Sequence, residues 1–435
     1  MKAIELLALL GFIIIFFYAA LSTLPNIFKI VLVAATLFGS GAIIARLTKT
    51  ANYYGMVILK GKYGLKEMKI WSQKYAKALQ GFVDLWLSLG FGVFYSYFLF
   101  GKDLKKFAVH LLILLVLFFG LSFTSVGVDN LFLMQLAGVF FGLAGAGVIS
   151  IALNAFAIFT IPNTPAGVMP VVPGVTVPFE AIFALIFVAV VHEASHGIFF
   201  FAEKLKVKNS GVALLGFIPI GAFVESDDKS FEKHNLPGKR RILAAGSASN
   251  FYSMLLFLPL LIASFSLVGT VTAGVSIAQI TAGSPVDGVL SNGDVVIAVN
   301  GTATKTLTPF VQTLSAAKPG EMVSLSLLSG KTVNVVLDSK GKLGVQVANY
   351  VAPENSFVYS VYSLIAEILK WAVLFSLGLA VTNLIPLFIT DGHQILRGEL
   401  NALFKHDLRL AGLLTNVIGG VMLALILFNL LPFLK

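Results

Sequence analysis

Cysteine is absent from the 435 residues. That excludes disulfides, thiolate zinc ligands and thiol redox chemistry, and it leaves the compartment open. Charge is scarce as well. Asp, Glu, Lys and Arg make up 12% of the chain, about half the share a soluble domain carries. No nucleic-acid-binding motif accompanies the net charge of +10, so the basic residues are read as topology signals and a nucleic-acid partner is not expected. What is abundant is apolar: 57% of residues are hydrophobic and mean hydropathy is +0.91. The fold class is a polytopic α-helical membrane protein, and the bilayer is its first partner.

Nine apolar runs are long enough to count as spans: 4–21, 27–45, 79–100, 107–124, 131–160, 180–201, 242–268, 357–387 and 410–431. The first is too long for a typical signal h-region and lacks a convincing cleavage site, so it is read as a retained helix. The run at 131–160 is Gly- and Ala-rich from Gly138 to Gly147, which suits close helix packing. A stretch with five prolines and no charge, 161–178, reads as an irregular exterior loop. Residues 211–224 are apolar yet interrupted by Gly211, Gly216, Pro219 and Gly221. They are too short and too broken to span, and fit a membrane-associated β-hairpin. From 270 to 350, short β-rich runs alternate with turn signals, which marks a small soluble β domain.

One span carries ionisable groups where hydrocarbon makes them costly. In VAVVHEASHGIFFFA at 188–202, His192 and His196 lie one helical turn apart and share a face. A single histidine in an apolar helix is most often a satisfied core residue. The full H-E-x-x-H pattern is more specific: two neutral imidazoles can hold Zn²⁺, and Glu193 stands beside them as a general base for water. A hydrolytic zinc site needs a third protein ligand and an open position. Without cysteine the candidates are His, Asp or Glu at the same end of the membrane. Asp391 fits, although Asp-Gly is also a common turn pair. Glu225 is the next acidic residue to consider.

HEASH at 192–196 together with NLIPLFITDG at 383–392 resembles the site-2 protease family of intramembrane zinc metalloproteases, with Thr390 where that family commonly has Leu. GFIPIGAFVESDD at 216–228 is similar to the family's membrane-associated β segment. AAGSASNF at 244–251 is similar to its third core helix, with Ser247 in place of the usual Pro. ITAGSPVDG and the later NGDVVIAVNG, in that order, resemble a PDZ module. The resemblance implies cleavage of a membrane-anchored protein substrate within or near its transmembrane segment. It implies His192, His196 and Asp391 as zinc ligands and Glu193 as the base. Asn383 and Asn250 would line the site toward substrate, and Pro219 and Gly221 would belong to a strand that an extended substrate pairs with. The domains then read as 1–160, N-terminal helices of unassigned role; 161–269, protease core; 270–350, PDZ-like; and 351–435, protease core and last helix.

Two rival classes compete with a protease. A zinc transporter would need polar residues continuing along a path, and only Asp84, His110 and Asn154 are scattered elsewhere. An inactive scaffold would be expected to have lost a motif residue, and all four survive.

The positive-inside rule places residue 1, the 46–77 loop, the 203–241 segment and the 391–409 loop on the cytoplasmic side, and the β domain outside. The setting is the cell membrane of a prokaryote, with the metal site toward the cytoplasm. Lys102, Lys105 and Lys106 break the trend by falling outside. Either that loop is an exception or an N-terminal span is miscounted. Tags in the 46–77 loop and after Lys204 should be accessible from the cytoplasm only, and a tag near Asn300 from the exterior only. The reverse result at Asn300 inverts the orientation.

Overall fold

The computed structural model describes residues 2–22, 24, 26–120, 131–171 and 176–434. The end of the expected fourth span, after Gly120, and residues 172–175 of the proline-rich loop lie outside the described residues. Among the described residues, seven helices are long and apolar enough to cross a membrane. The chain divides into two compact units. One holds Met1–Leu255 and Trp371–Lys435, the other Leu256–Lys370.

The first unit opens with α1 (Lys2–Leu21) and α2 (Asn26–Thr48), then β1 (Asn52–Tyr53) and β2 (Met56–Gly61). Three helices follow: α3 (Leu65–Phe100), α4 (Leu104–Gly120) and α5 (Leu131–Thr160). The motif helix is α6 (Ala181–Ala202), succeeded by β3 (Val207–Leu215), β4 (Ile218–Ser226) and the short α7 (Asp228–Glu232). Helix α8 (Leu236–Val271) runs from this unit into the second.

The second unit contains β5 (Gly274–Ile280), β6 (Val295–Val299), β7 (Thr302–Ala303), α9 (Leu307–Ala316), β8 (Met322–Leu327), β9 (Thr332–Val336) and β10 (Val345–Tyr350). Its sheet has the order β10-β5-β6-β8-β9, with β7 paired to β6. Val275, Ile277, Val296, Phe310, Val323 and Leu325 fill its core. Helix α10 (Ser356–Thr382) returns the chain to the first unit, which ends with α11 (Asp391–Leu403) and α12 (Leu408–Leu434).

The basic 46–77 segment is more than a solvated loop. It contributes β1 and β2, and β2 pairs antiparallel with β3, from Met56 opposite Leu215 to Gly61 opposite Ser210. The expected hairpin is therefore half of a four-stranded sheet of order β1-β2-β3-β4, with β4 at an edge. Turn signals marked β3 and β4; the partner strand, whose residues lie 149 to 159 positions from their partners in β3, left no local signal of its own.

Helix α3 ties the N-terminal region to the motif helices. Trp86 is fully buried, and its indole N–H donates to Ser247 Oγ of α8 at 2.8 Å. Ser247 thus has a polar partner that proline could not accept. Asp84, also buried, receives two hydrogen bonds from Arg241 at 2.9 and 3.1 Å and one from Lys106 at 2.7 Å. Removing either cation would leave a buried carboxylate under-compensated, which is costly. Because Lys106 and Arg241 share one carboxylate, the start of α4 lies at the Arg241 end of the core. Tyr95 agrees, donating to Glu399 of α11 at 2.7 Å. Lys106 thus shares the Arg241 end of the core, and α3 is redirected part-way along its length.

The redirection occurs at Gly92 (φ 79°, ψ −169°), and α5 is broken in the same way at Gly142 (φ 71°, ψ −172°). The two breaks meet: a Cβ on Gly92 would run into the Phe140 carbonyl, and one on Gly142 into the Gly90 carbonyl. Such backbone geometry is almost confined to glycine and costs other residues about 1–3 kcal/mol before any clash. Gly142→Ala should lower the thermal midpoint of the detergent-solubilised protein by several degrees. Gly147→Ala, whose Cβ would meet only ordinary contacts at 3.5 and 3.6 Å, should leave it nearly unchanged. Equal midpoints for the two variants would remove the interlock from the account.

Candidate metal centre

The helical repeat along α6 decides what faces inward. His192 and His196 project into the bundle and are buried. Their Nε2 atoms lie 3.1 Å apart. Asp391 Oδ2 is 3.4 Å from each of them, and it is buried with no hydrogen-bond partner. Four donors at about 2.0–2.1 Å around a tetrahedral zinc are separated from each other by about 3.3–3.4 Å. Three donor atoms at 3.1, 3.4 and 3.4 Å therefore fit one face of such a shell. Glu193 is also near, its carboxylate lying within 4.8 Å of the imidazole nitrogens. Asp391, equidistant at 3.4 Å from both Nε2 atoms, has the spacing expected of a third donor.

The surroundings set the tautomers that a metal requires. His196 Nδ1 lies 2.7 Å from the Ile242 carbonyl. A carbonyl accepts only from N–H, so Nδ1 holds the proton and Nε2 offers its lone pair. His192 Nδ1 faces the Asn250 amide at 3.0 Å, and Asn250 Oδ1 is buried without a partner. Rotating that amide by half a turn brings Oδ1 onto His192 Nδ1–H, satisfies the oxygen, and frees the second Nε2 as well. Asn250 is fully buried. It sits behind the ligand and is not among the residues lining the cavity on the far side.

Asp391 is placed by a turn and a cap. Helix α10 stops at Thr382, and Pro386 keeps the following residues out of a helix. Thr390 then caps α11, its hydroxyl accepting from His393 N–H at 3.3 Å and donating to the Ile385 carbonyl at 2.6 Å. Leu at this position could not do that. Asp391 is thus held in the first helical turn, where the backbone N–H groups favour an anion. Burial would raise its carboxyl pKa. Positive charge at the adjacent His196 and His192, which a bound cation would supply in its place, outweighs burial and holds the carboxyl below the usual carboxylate range.

Gly246 is the residue that sequence reasoning passed over. A Cβ there would lie 2.5 Å from Nε2 of both His192 and His196. The α8 backbone thus floors the cluster, and the row of small residues in AAGSASNF was the available signal. Ile242 could not have been singled out, because its carbonyl acts and its side chain does not.

A cavity of about 230 Å³ opens on the cluster, lined among others by His192, Glu193, Gly221, Ala222, Asn383 and Asp391. Asn383 Nδ2 is 3.0 Å from His192 Nε2. Pro219 is not among the lining residues; it pairs with Leu214 next to the turn, before the register shift that brings Gly221 opposite Ala213. Glu225 is occupied elsewhere, by Lys60 at 2.9 Å and Asn209 at 3.2 Å. The scattered polar residues form closed pairs away from this cavity. Asp84 is held by Arg241 and Lys106, His110 bonds Ser88 at 2.7 Å, and Asn154 bonds Asn429 at 2.9 Å.

Comparison with known families bears on this geometry. Residues 180–427 match peptidase family M50, more than half of the chain. The chain belongs to peptidase family M50, the site-2 protease family, whose members are membrane-embedded zinc metallopeptidases. It is also similar to the uncharacterized protein MJ0971 of Methanocaldococcus jannaschii, 29% identical over 242 residues. That match covers 54% of this chain and spans 61% of the relative's length.

Asp391→Ala, read by elemental analysis of the purified protein, should lose most of its zinc, because two imidazoles alone hold it weakly. Gly246→Ala removes no ligand, yet should weaken zinc binding by about tenfold or more through displacement of both rings. Full occupancy in Asp391→Ala would transfer the third position to Glu193. Full occupancy in Gly246→Ala would remove the floor from the account.

Proposed function

We propose that the protein is an intramembrane zinc endopeptidase that hydrolyses peptide bonds within or near the transmembrane segments of membrane-anchored proteins. The observation that carries this reading is the convergence of His192, His196 and Asp391 beside Glu193, in a cavity within an otherwise apolar helix bundle. His192, His196 and Asp391 would hold the zinc. When bound, the metal would supply a Lewis acid for the scissile carbonyl and make water acidic enough to lose a proton near neutral pH.

The chain's own groups do the rest. Glu193 borders the same cavity and takes a proton from the attacking water, then delivers it to the leaving amine. Asn383 lines the cavity with its amide nitrogen against His192 Nε2, and once Nε2 holds the metal its N–H groups would be free to donate to the carbonyl oxygen as negative charge develops there. Asn250 and the Ile242 carbonyl keep both imidazoles in the ligating tautomer.

A helical substrate must expose its backbone before it can be cut. Strand β4 is an edge strand whose Gly221 and Ala222 border the cavity. An unwound substrate segment would pair along it by main-chain hydrogen bonds. The β-rich second unit, read as PDZ-like, would select substrates by size or by a chain end left by an earlier cut. Water would reach the site from the cytoplasmic side, the end that the basic loops mark, in a prokaryotic cell membrane.

Glu193→Gln keeps the shape of the side chain and all three ligands. It should retain zinc at the parental level and lower cleavage of a single-span membrane substrate by about 10²–10⁴-fold. The measurement is product formation in detergent or proteoliposomes, at matched zinc content. Near-parental cleavage would take Glu193 out of the chemistry.

A further inference from the structure

A second cavity, of about 530 Å³, adjoins the metal site and has no part in the account so far. It lies between α6, the first turns of α3 and the β3–β4 pair. Val190, Ala194 and Ile198 form its α6 wall; Met68 and Trp71 come from α3 and Val212 from β3. Its lining is almost wholly apolar, with Glu193 and the exposed Glu67 its only charged members.

Helix geometry explains its relation to the metal site. Val190, Ala194 and Ile198 are spaced by four, as are His192 and His196. The two stripes are offset by two residues, or about 200°, and so lie on nearly opposite faces of α6. Glu193 falls between them, about 100° from each. The two cavities accordingly share Glu193, and from the sheet they share Ala222.

We propose that this pocket receives a large apolar side chain of the substrate, from a residue next to the scissile bond, and so sets cleavage specificity. The proposal rests on the protease reading. A bond positioned for Glu193 has its neighbouring side chains within reach of the space on the other side of Glu193. A substrate strand along β4 alternates its side chains between faces, so one set is directed away from the metal cavity. Transmembrane segments supply Leu, Ile and Phe there. The volume lies within the range of about 300–1,000 Å³ common for ligand pockets and exceeds the needs of one such side chain. The α3 wall comes from residues outside the 180–427 match to the peptidase family. That gives part of the N-terminal region a direct role in substrate choice.

The test uses single-span reporters with a Leu/Ala transmembrane segment interrupted by Asn-Gly, cleaved by the zinc-loaded full-length protein. The cut is mapped by mass spectrometry, and the residues flanking it are varied one at a time between Ala, Leu and Phe. The parent should prefer Leu or Phe over Ala at one of these positions by about tenfold or more in kcat/KM. Val212→Phe and Val190→Phe each fill the pocket from a different wall, and either should reduce that preference by about tenfold, at confirmed zinc content. A preference retained in both filled variants, or a parent indifferent to all flanking residues, overturns the pocket assignment alone. Rates that fall equally for every reporter overturn it too, since lipid or packing would then occupy the space. A zinc-loaded parent that cuts no reporter overturns the protease reading itself, and the pocket assignment with it.

Discussion

Two imidazoles and a carboxylate brought within 3.4 Å of one another inside an apolar bundle form the constraint on which the rest of the structure depends. Polar and ionisable groups removed from water are costly unless every donor and acceptor finds a partner. The arrangement meets that requirement by layers. Each imidazole has its rear nitrogen engaged, by Asn250 or by the Ile242 carbonyl. The carboxylate sits at a capped helix start. Gly246 lets the α8 backbone come close enough to fix both rings. What is left without a hydrogen-bond partner is Asp391 Oδ2, which lies 3.4 Å from the Nε2 atoms of both imidazoles. That is the donor set a divalent cation requires.

The N-terminal helices, outside the part matched to the peptidase family, brace this centre. Trp86 and Asp84 of α3 reach α8 at Ser247 and Arg241, and Tyr95 reaches α11 at Glu399. These contacts hold the two helices that carry Gly246 and Asp391. Strand β2 extends the membrane-associated hairpin on one side and leaves β4 as the edge. In the proposed function, substrate pairing and metal chemistry would meet at Gly221 and Ala222, which border the metal cavity.

Much of the candidate site was legible in the sequence because it is encoded locally. H-E-x-x-H needs only helical periodicity to bring His192 and His196 together, whereas Asp391, in an Asp-Gly pair that a turn alone could explain, is picked out by its place at the end of a span and by the family resemblance. Other parts depend on long-range contacts that leave no local trace. The pairing of β2 with β3, the sharing of Asp84 by Lys106 and Arg241, and the meeting of Gly92 with Gly142 each join segments distant in the chain. Hydropathy registers the apolar run at 79–100, but the kink at Gly92 depends on its partner at Gly142. Asn250 shows a different limit. The sequence marked it as a site residue, while only its burial and its bond to His192 assign it to the ligand's rear nitrogen.

The central claim is that His192, His196 and Asp391 form the metal shell, and X-ray absorption at the zinc edge of the purified protein tests it most directly. The account predicts about one zinc per chain, with two imidazole nitrogens and oxygen donors at about 2.0–2.1 Å and no sulfur. A shell with fewer than two imidazoles, or a protein that binds no zinc with all three residues intact, would contradict it.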